Sequence, residues 1–206
     1  MKNKKKLSLL TTAYFPPVQY FSKLFVSEEV YIEIYDNYQK QTYRNRCNIL
    51  TANGIIPLTI PVHKLQTKTK TKDITIDYST DWQKNHYKAI ESAYGKSPFF
   101  EFLIDDFIVF FEKKYQFLID LNLEIIETIF SILNISSKIN YTSEFIAIDN
   151  DYDDLRFIIQ PKSNVKDYNY KVKPYTQVFS DKFDFQPNLS ILDLIFNMGS
   201  ESLLYL

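Results

Sequence analysis

A change in sequence pattern near Trp82 limits the folds that this chain can adopt. Before it, residues 29–36 alternate between apolar and polar side chains, as half-buried strands do. Residues 7–15 are mostly apolar and lead into two prolines, which predicts a buried strand. After it, the apolar spacing of residues 82–94 and 114–133 is helical. The sequence therefore predicts a mixed α/β fold, in which a sheet built largely from the N-terminal half is covered by helices from Trp82 onward.

The segment Thr51-Ala52-Asn53-Gly54 predicts a β-hairpin within the N-terminal half. The runs on either side of it, residues 43–50 and 55–62, are rich in apolar and β-branched side chains, as strands are. Asn and Gly accept the positive φ angles that a tight hairpin turn requires, so the turn is predicted at Asn53-Gly54.

Capping signals predict where the helices of the C-terminal half begin and end. A capping-box spacing at Thr80 predicts a helix that Gly95 ends. Ser97-Pro98 predicts the start of the next helix, and Ser190 caps a short last helix that Gly199 ends. The remaining segments are predicted as a short helix at residues 18–25, a solvated Lys- and Thr-rich loop at 64–72, a strand at 74–78, an acidic turn at 149–154 and a polar loop at 160–173.

The composition indicates one globular domain, residues 1–206, in the cytoplasm. The chain is 45% hydrophobic, which is enough for a core, and its net charge of -1 provides no basic field that would attract nucleic acid. Three acidic residues interrupt the apolar run at residues 99–111, so no membrane span is predicted. The apolar run that follows the basic residues 1–6 has no small-residue cleavage site, so no signal peptide is predicted.

Arginine is rare in this chain, and its positions point to an anion site. Only three of the 24 basic residues are arginine (Arg44, Arg46 and Arg156), so a forked, permanently charged group is indicated at these positions. Arg44 and Arg46 lie two apart on a predicted strand, which places both guanidinium groups on one face, where they suit a phosphate or a carboxylate. The alternative is that they pair with acidic residues of a neighbouring strand.

Three other residues have candidate chemical roles, each beside an alternative. His86, four residues after Trp82, is a candidate for proton transfer, or else an imidazole satisfied by hydrogen bonds at the edge of the core. Cys47 is a candidate nucleophile beside Arg46, or else a small core residue. The backbone after Asn188 provides an anion site or an ordinary helix cap. One cysteine and two histidines have no zinc spacing, and three glycines nearly exclude a phosphate loop, so no metal or cofactor is predicted.

A series of short stretches resembles the bacterial WbqC-like family. In order along the chain they are Ala13-Tyr14-Phe15-Pro16, Tyr43-Arg44-Asn45-Arg46 with Ile49, Gly54 with Leu58-Thr59-Ile60-Pro61-Val62, Trp82 with His86, Tyr94 with Pro98-Phe99, and Pro187-Asn188-Leu189-Ser190-Ile191-Leu192-Asp193 with Phe196-Asn197 and Gly199. They extend over nearly the whole chain. The arginine motif departs from the family at Tyr43, where the family tends to have Trp, so an aromatic partner there is smaller.

The resemblance implies a role in the assembly of bacterial surface polysaccharides such as O-antigen, and some members are described as glycine or aminoacyl transferases acting on amino sugars. By position, the implied site residues are Arg44, Asn45, Arg46, Trp82, His86, Asn188 and Asp193. In this transferase hypothesis, Arg44 and Arg46 hold the phosphate or carboxylate of a nucleotide-sugar or activated acyl donor, and His86 is the general base. Asn188 donates a hydrogen bond to the substrate, and Asp193 orients a neighbouring group.

The alternative hypothesis is a non-catalytic binding or assembly module for an envelope or polysaccharide enzyme. Some of the 16 Tyr residues would then form an aromatic interface. The two hypotheses differ in geometry. An enzyme places Arg44, Arg46 and His86 around one concave pocket, whereas a binding module disperses them and exposes a flat aromatic patch.

Overall fold

The structure of the protein, a computed structural model, describes residues 7–63, 68–147, 152–163 and 165–206. Its elements in chain order are β1 (Leu7–Thr11), α1 (Val18–Val26), β2 (Glu29–Glu33), β3 (Arg46–Thr51), β4 (Gly54–Thr59), α2 (Trp82–Tyr94), α3 (Phe100–Glu112), α4 (Leu118–Leu133), β5 (Lys138–Tyr141), β6 (Tyr152–Asp154) and α5 (Ile191–Met198), with 3-10 turns at Thr71–Asp73 and Gly199–Tyr205. The mixed α/β class predicted from the sequence is confirmed. No helix among the described residues is long and apolar enough to cross a membrane.

The main sheet has four strands in the order β5-β2-β1-β6, and each neighbouring pair is parallel. Its two inner strands bury apolar side chains such as Leu10 and Ile32, which are register partners, because helices and loops cover the sheet. β1, α1 and β2 form a βαβ unit that provides these inner strands. Parallel pairing places the carboxyl ends of all four strands on one edge, which we call the carboxyl edge.

The predicted hairpin is present as a separate two-stranded sheet. β3 and β4 pair antiparallel from Arg46↔Thr59 to Thr51↔Gly54. Gly54 has a φ of +105, and a Cβ built there would have no atom within 4 Å, so the backbone angle, and not space, requires glycine. The turn itself consists of Ala52 and Asn53, one residue earlier than the sequence predicted.

Two segments differ from the sequence predictions. Residues 74–78 form no strand, because Thr75 and Ile76 bridge to different partners, Phe117 and Val62, and so no continuous ladder forms. The predicted acidic turn at 149–154 contains β6 at Tyr152–Asp154, whose backbone pairs with β1 despite its polar side chains. Residues 149–151 lie outside the described residues, as do the basic residues 1–6 and part of the Lys- and Thr-rich loop, residues 64–67.

The helix boundaries also shift. The helix predicted at residues 114–133 begins at Leu118, and the one predicted to begin at Pro98 begins at Phe100. At the last helix, Ser190 is the N-cap, as predicted, because its Oγ accepts a hydrogen bond from the backbone N–H of Leu192. Gly199 ends that helix with a φ of +54.

A buried carboxylate, Glu33, lies at the carboxyl edge and has 0% exposure. Its Oε1 accepts hydrogen bonds from Thr142 Oγ1 at 3.0 Å and from the backbone N–H of Tyr35 at 2.8 Å. Its Oε2 accepts from the backbone N–H of Ile146 at 2.8 Å and from the guanidinium of Arg156 at 3.2 Å. Glu33 therefore joins the end of β2 to the segments that follow β5 and β6.

Replacing Glu33 with alanine tests this network. We expect Glu33→Ala to lower the free energy of unfolding by about 3–5 kcal/mol, because it leaves the buried Arg156 with one carboxylate partner fewer and several donors unpaired. Urea denaturation followed by circular dichroism measures the change.

The matched control is Glu29→Ala on the same strand. Glu29 is half-buried, faces Lys138 across 3.6 Å and accepts one hydrogen bond from Asn140, so its loss should cost only about 1 kcal/mol. If both variants lower the free energy of unfolding equally, the burial of Glu33 does not strengthen its contribution to stability.

Candidate functional site

Arg44 lies before the strand on which the sequence placed it, since β3 begins at Arg46. Its side chain is 1% exposed and forms an ion pair with Asp36 and a 3.2 Å hydrogen bond to Thr42 Oγ1. Asp36 also accepts a hydrogen bond from the Thr71 hydroxyl. The charge of Arg44 is thus already compensated by a carboxylate of the protein.

Arg46 and Asn45 both adjoin the end of β4. Arg46 is the register partner of Thr59, and the Asn45 side-chain N–H donates to the carbonyl of Ile60 at 2.8 Å. The backbone N–H of Ile60 donates in return to the carbonyl of Asn45. Arg46 is half-buried and forms no ion pair with the described residues. Arg46 Nε and Asn45 Oδ1 are buried and have no hydrogen-bond partner there.

His86 is buried on α2, against the same end of β4. Its Nδ1 lies 3.0 Å from the Tyr14 hydroxyl, and the ring also hydrogen-bonds to the backbone carbonyl of Thr59. Burial lowers the pKa of His86 to about 4, although the Thr59 carbonyl opposes the shift. The imidazole is therefore neutral near pH 7, and a proton on Nε2, directed to Thr59, leaves Nδ1 to accept from Tyr14.

Trp82 begins α2 and covers the imidazole of His86. The two rings are 5.2 Å apart in an edge-on arrangement, and the indole ring packs on Tyr78 on its other side. The indole N–H of Trp82 is buried without a hydrogen-bond partner among the described residues. Asn45, Arg46 and His86 thus each contact or pair with the end of β4, and Trp82 and Tyr14 adjoin His86. We call this set of residues the hairpin-exit site: Tyr14, Asn45, Arg46, Trp82 and His86.

Asn188 lies away from this site and holds the start of α1. Its Oδ1 accepts a 2.9 Å hydrogen bond from the backbone N–H of Gln19, and its side-chain N–H donates to Gln19 Oε1 at 3.0 Å. The preceding N–H, of Val18, donates to the carbonyl of Leu189. Two N–H groups at the start of α1, which have no partner within the helix, are satisfied in this way.

Asp193 is also separate from the hairpin-exit site, in the first turn of α5. Its Oδ2 accepts hydrogen bonds from the Tyr175 hydroxyl at 2.7 Å and from Gln177 at 2.8 Å. Burial raises the pKa of Asp193 above its ordinary value, and these hydrogen bonds oppose the rise. Since the backbone N–H of Ser190 donates to the carbonyl of Asn48, α5 begins beside the middle of β3, beyond the hairpin-exit site.

Burial also shifts the pKa values of one tyrosine and of the cysteine in this region. Burial raises the pKa of Tyr38 to about 12, and the nearby charges of Arg44 and Arg46 oppose the rise, so its hydroxyl stays protonated close to both guanidinium groups. Burial also raises the pKa of the Cys47 thiol far above its ordinary value, which keeps it from forming the thiolate that a nucleophile needs. Sequence reasoning assigned no role to Tyr14 or Tyr38; the Ala13-Tyr14-Phe15-Pro16 stretch was the available signal for the first.

A cavity of the described structure lies elsewhere. It has a volume of about 710 Å³ and is lined mainly by the C-terminal half of α1, the beginnings of β1 and β6, and residues 168–173. None of the seven residues predicted from the sequence lines it. Within the described residues, no group of three or more His, Cys, Asp or Glu side chains could hold a metal ion.

These features define a mixed α/β protein with a small parallel sheet, a separate hairpin and a polar site where the hairpin ends. The chain belongs to the WbqC-like protein family, whose model matches residues 12–168, and the resemblance seen in the sequence is confirmed. It is 29% identical to the uncharacterized protein Rv1507c of Mycobacterium tuberculosis, over 98% of this chain and 97% of that protein. No solved structure was found to match this chain.

The neutral, buried state of His86 predicts a specific pH dependence of stability. The folded chain protonates His86 only near pH 4, whereas the unfolded chain does so near the ordinary pKa of 6.5. The contribution of His86 is thus fully present above pH 6.5 and is lost as the pH falls toward 4. We expect it to reduce the free energy of unfolding by up to about 1.4 kcal/mol per pH unit in this window.

Urea denaturation at pH 7, 6 and 5 (roughly the window of the linkage) measures this slope, and the His86→Gln variant is the control. Glutamine keeps a hydrogen-bonding side chain but cannot take up the proton, so all other titrating groups contribute equally to both proteins. The same pH slope in wild type and variant would mean that His86 is not held neutral by the fold.

Proposed function

We propose that this protein is a cytoplasmic transferase of bacterial surface-polysaccharide biosynthesis that binds an activated, anionic small molecule at the hairpin-exit site. The observation that carries the proposal is the state of Arg46. It is half-buried and has no acidic partner among the described residues. The side-chain oxygen of the neighbouring Asn45 and the indole N–H of Trp82, at the start of α2, are also buried without partners there. Membership in the WbqC-like protein family supports the substrate class.

The unpaired donors and acceptor are of the types that bind an anionic ligand. Buried polar groups are nearly always hydrogen-bonded, so unpaired ones point to a ligand or to water. Arg46 and the indole N–H of Trp82 are donors, which suit the oxygens of a phosphate or carboxylate, and Asn45 Oδ1 is an acceptor, which suits a hydroxyl or amine. Because Arg46 is the most exposed member of the site, the anion approaches from its side.

Arg44 has a different role in this proposal from the one that its spacing suggested. Its guanidinium is committed to Asp36, so it fixes the segment that leads into β3 and does not contact the anion directly. The carbonyl of Arg44 accepts a hydrogen bond from Asn122 of α4, which fixes the backbone just before Asn45. Arg44 is thus a positioning residue for Asn45 and Arg46.

His86 and Tyr14 provide a route for a proton. A substrate hydroxyl or amine that attacks an activated acyl or glycosyl group must lose its proton. The Tyr14 oxygen accepts this proton while the Tyr14 hydroxyl proton passes to His86 Nδ1, which leaves tyrosine neutral and the imidazole protonated. Burial keeps His86 unprotonated at neutral pH, and its pKa of about 4 makes it a weak base, so the transfer requires a negative charge close by, such as that of the bound donor.

Asn188 and Asp193 enter the proposal as positioning residues. Asp193 orients Tyr175 and Gln177, and Asn188 anchors α1 through Gln19. α1 follows the segment that carries Tyr14, so a displaced α1 would move the proton route.

A binding or assembly module without catalysis is the second candidate, and one surface favours it. Phe145 and Phe157 are 55% and 51% exposed, and both pack on the guanidinium of Arg156, at 5.5 and 5.8 Å from its carbon to the ring centres. Exposed aromatic rings of this kind are common in interfaces. In this reading the carboxyl edge of the sheet, and not the hairpin-exit site, contacts the partner.

The transferase proposal is tested by binding followed by turnover. Thermal-shift screening with sugar nucleotides and acyl or aminoacyl donors identifies a ligand, and calorimetry measures its Kd. We expect Arg46→Lys to raise the Kd about tenfold, since lysine keeps the charge and loses the fork. We expect His86→Gln to retain binding and lose most of the turnover, by roughly 100-fold or more.

Lys88→Met is the control for a change of cationic side chain outside the site, because Lys88 is exposed on α2. It should leave both Kd and turnover unchanged. If Arg46→Lys binds the ligand as tightly as the wild type, Arg46 does not bind the anion. If no donor in the screen stabilises the wild type, the non-catalytic binding or assembly module is the better proposal.

A further inference from the structure

The 710 Å³ cavity lies at the edge of the main sheet opposite the carboxyl edge, and its lining residues are of the kinds that bind small molecules. Its volume is within the range of small-molecule pockets, roughly 300–1,000 Å³. It lies at the amino-terminal ends of β1 and β6, where Ser8 and Asp153 are register partners, and so it is separate from the hairpin-exit site. Tyr168 and residues 169–173 form its outer wall.

Three lysines and one carboxylate give the cavity its charge. Lys23, Lys171 and Lys173 line it together with Asp153. Lys23 is 6% exposed and pairs at 2.7 Å with Asp167, so its charge is compensated. Burial raises the pKa of Asp167 and the hydrogen bonds from Lys23 and Gln19 lower it, with a net pKa below its ordinary value, so this pair stays ionised.

Two of these lysines still have hydrogen-bond donors available for a ligand. Lys173 Nζ donates to the carbonyls of Leu204 and Leu206 at 3.0 and 2.9 Å, which uses two of its three protons. Lys171 is exposed and has no hydrogen bond or ion pair within the described ranges. The charge of Lys171, which has no partner there, suits a single anionic group, whereas a polyphosphate carries more negative charge than this site offers positive charge.

The uncharged part of the wall suits hydroxyl groups. The Ser8 and Ser27 hydroxyls lie 3.2 Å apart, and the Ser22 hydroxyl donates to the carbonyl of Gln19, which leaves serine oxygens that can accept. Tyr168 and Tyr170 add aromatic rings with polar tips, which can pack on the apolar face of a ring while hydrogen-bonding at its edge.

We propose that this cavity binds a carbohydrate that carries one anionic group, a phosphate or a carboxylate. The lysines hold the anion, the serine hydroxyls and the Asn169 amide hydrogen-bond the sugar hydroxyls, and Tyr168 packs on the sugar ring. An apolar ligand would leave the lysines and serines without partners, and a free inorganic anion would make no use of the tyrosines. The proposal does not depend on the hairpin-exit site.

Chemical-shift mapping of the full chain by NMR tests the proposal. The probes are the 1-phosphates of glucose, galactose and mannose, glucuronate as the carboxylate arm, and glucose and inorganic phosphate alone. At about 10 mM, we expect at least one anionic sugar to cause saturable shifts at the amides of Ser8, Ser22, Asn169 and Tyr170. Glucose alone and phosphate alone should bind at least about tenfold more weakly.

Two exposed substitutions separate the anion contact from the sugar contact without endangering the fold. Lys171→Met should weaken the anionic sugar at least about fivefold, with Lys88→Met as the unaffected control. Tyr168→Ala, at a side chain that is 83% exposed, should weaken the anionic sugar but leave inorganic phosphate unchanged.

Three results would overturn the inference. The first is the absence of saturable shifts at the cavity amides with every anionic sugar. The second is equal affinity for inorganic phosphate and the sugar phosphates, which would indicate a simple anion site. The third is that the shifts map to Asn45 and Arg46 and vanish in Arg46→Lys, which would place the sugar at the hairpin-exit site and leave the proposed function standing.

Discussion

The burial of Glu33 is the constraint on which the arrangement of the main sheet depends. A carboxylate without exposure at the end of an inner strand is tolerated only where hydrogen bonds and an opposite charge surround it. One of these hydrogen bonds comes from the backbone N–H of Tyr35, and the other groups belong to Thr142, Ile146 and Arg156, all of which follow β5 or β6. The opposite charge and most of the hydrogen bonds thus come from the C-terminal half of the chain, which the sheet needs to compensate Glu33.

The same ion pairs also affect where on the sheet a ligand can bind. In open parallel sheets, ligands usually bind beyond the carboxyl ends of the strands. Here that edge is filled by ion pairs of Glu33 and Asp154 with Arg156, and of Asp36 with Arg44. Such buried pairs fix geometry but leave little free charge for a ligand. Arg46, which has no acidic partner among the described residues, lies instead on the hairpin, and an open cavity lies at the amino-terminal edge of the sheet.

Sequence reasoning was sufficient where the physics is local. The positive φ of Gly54 and the cap at Ser190 follow from neighbouring residues, and both were predicted. β6 was missed because its polar residues form a strand only through pairing with β1. At the site, spacing and resemblance selected Arg46 and His86 as candidates, which stays a prediction. No local pattern shows that Asp36 pairs with Arg44, or that Gln19 hydrogen-bonds to Asn188 from 169 positions away.

α1 connects the two candidate sites through rigid geometry. It begins just after the segment that carries Tyr14, and its C-terminal half lines the large cavity. Asn188 fixes its first turn through Gln19, whose side-chain N–H donates to Asp167 Oδ2, the oxygen that also binds Lys23. The same hydrogen-bonded chain thus anchors the helix start and orders a lysine of the cavity. A helix of 9 residues is about 13 Å long, so α1 acts as a spacer that sets the distance between the proton route and the cavity.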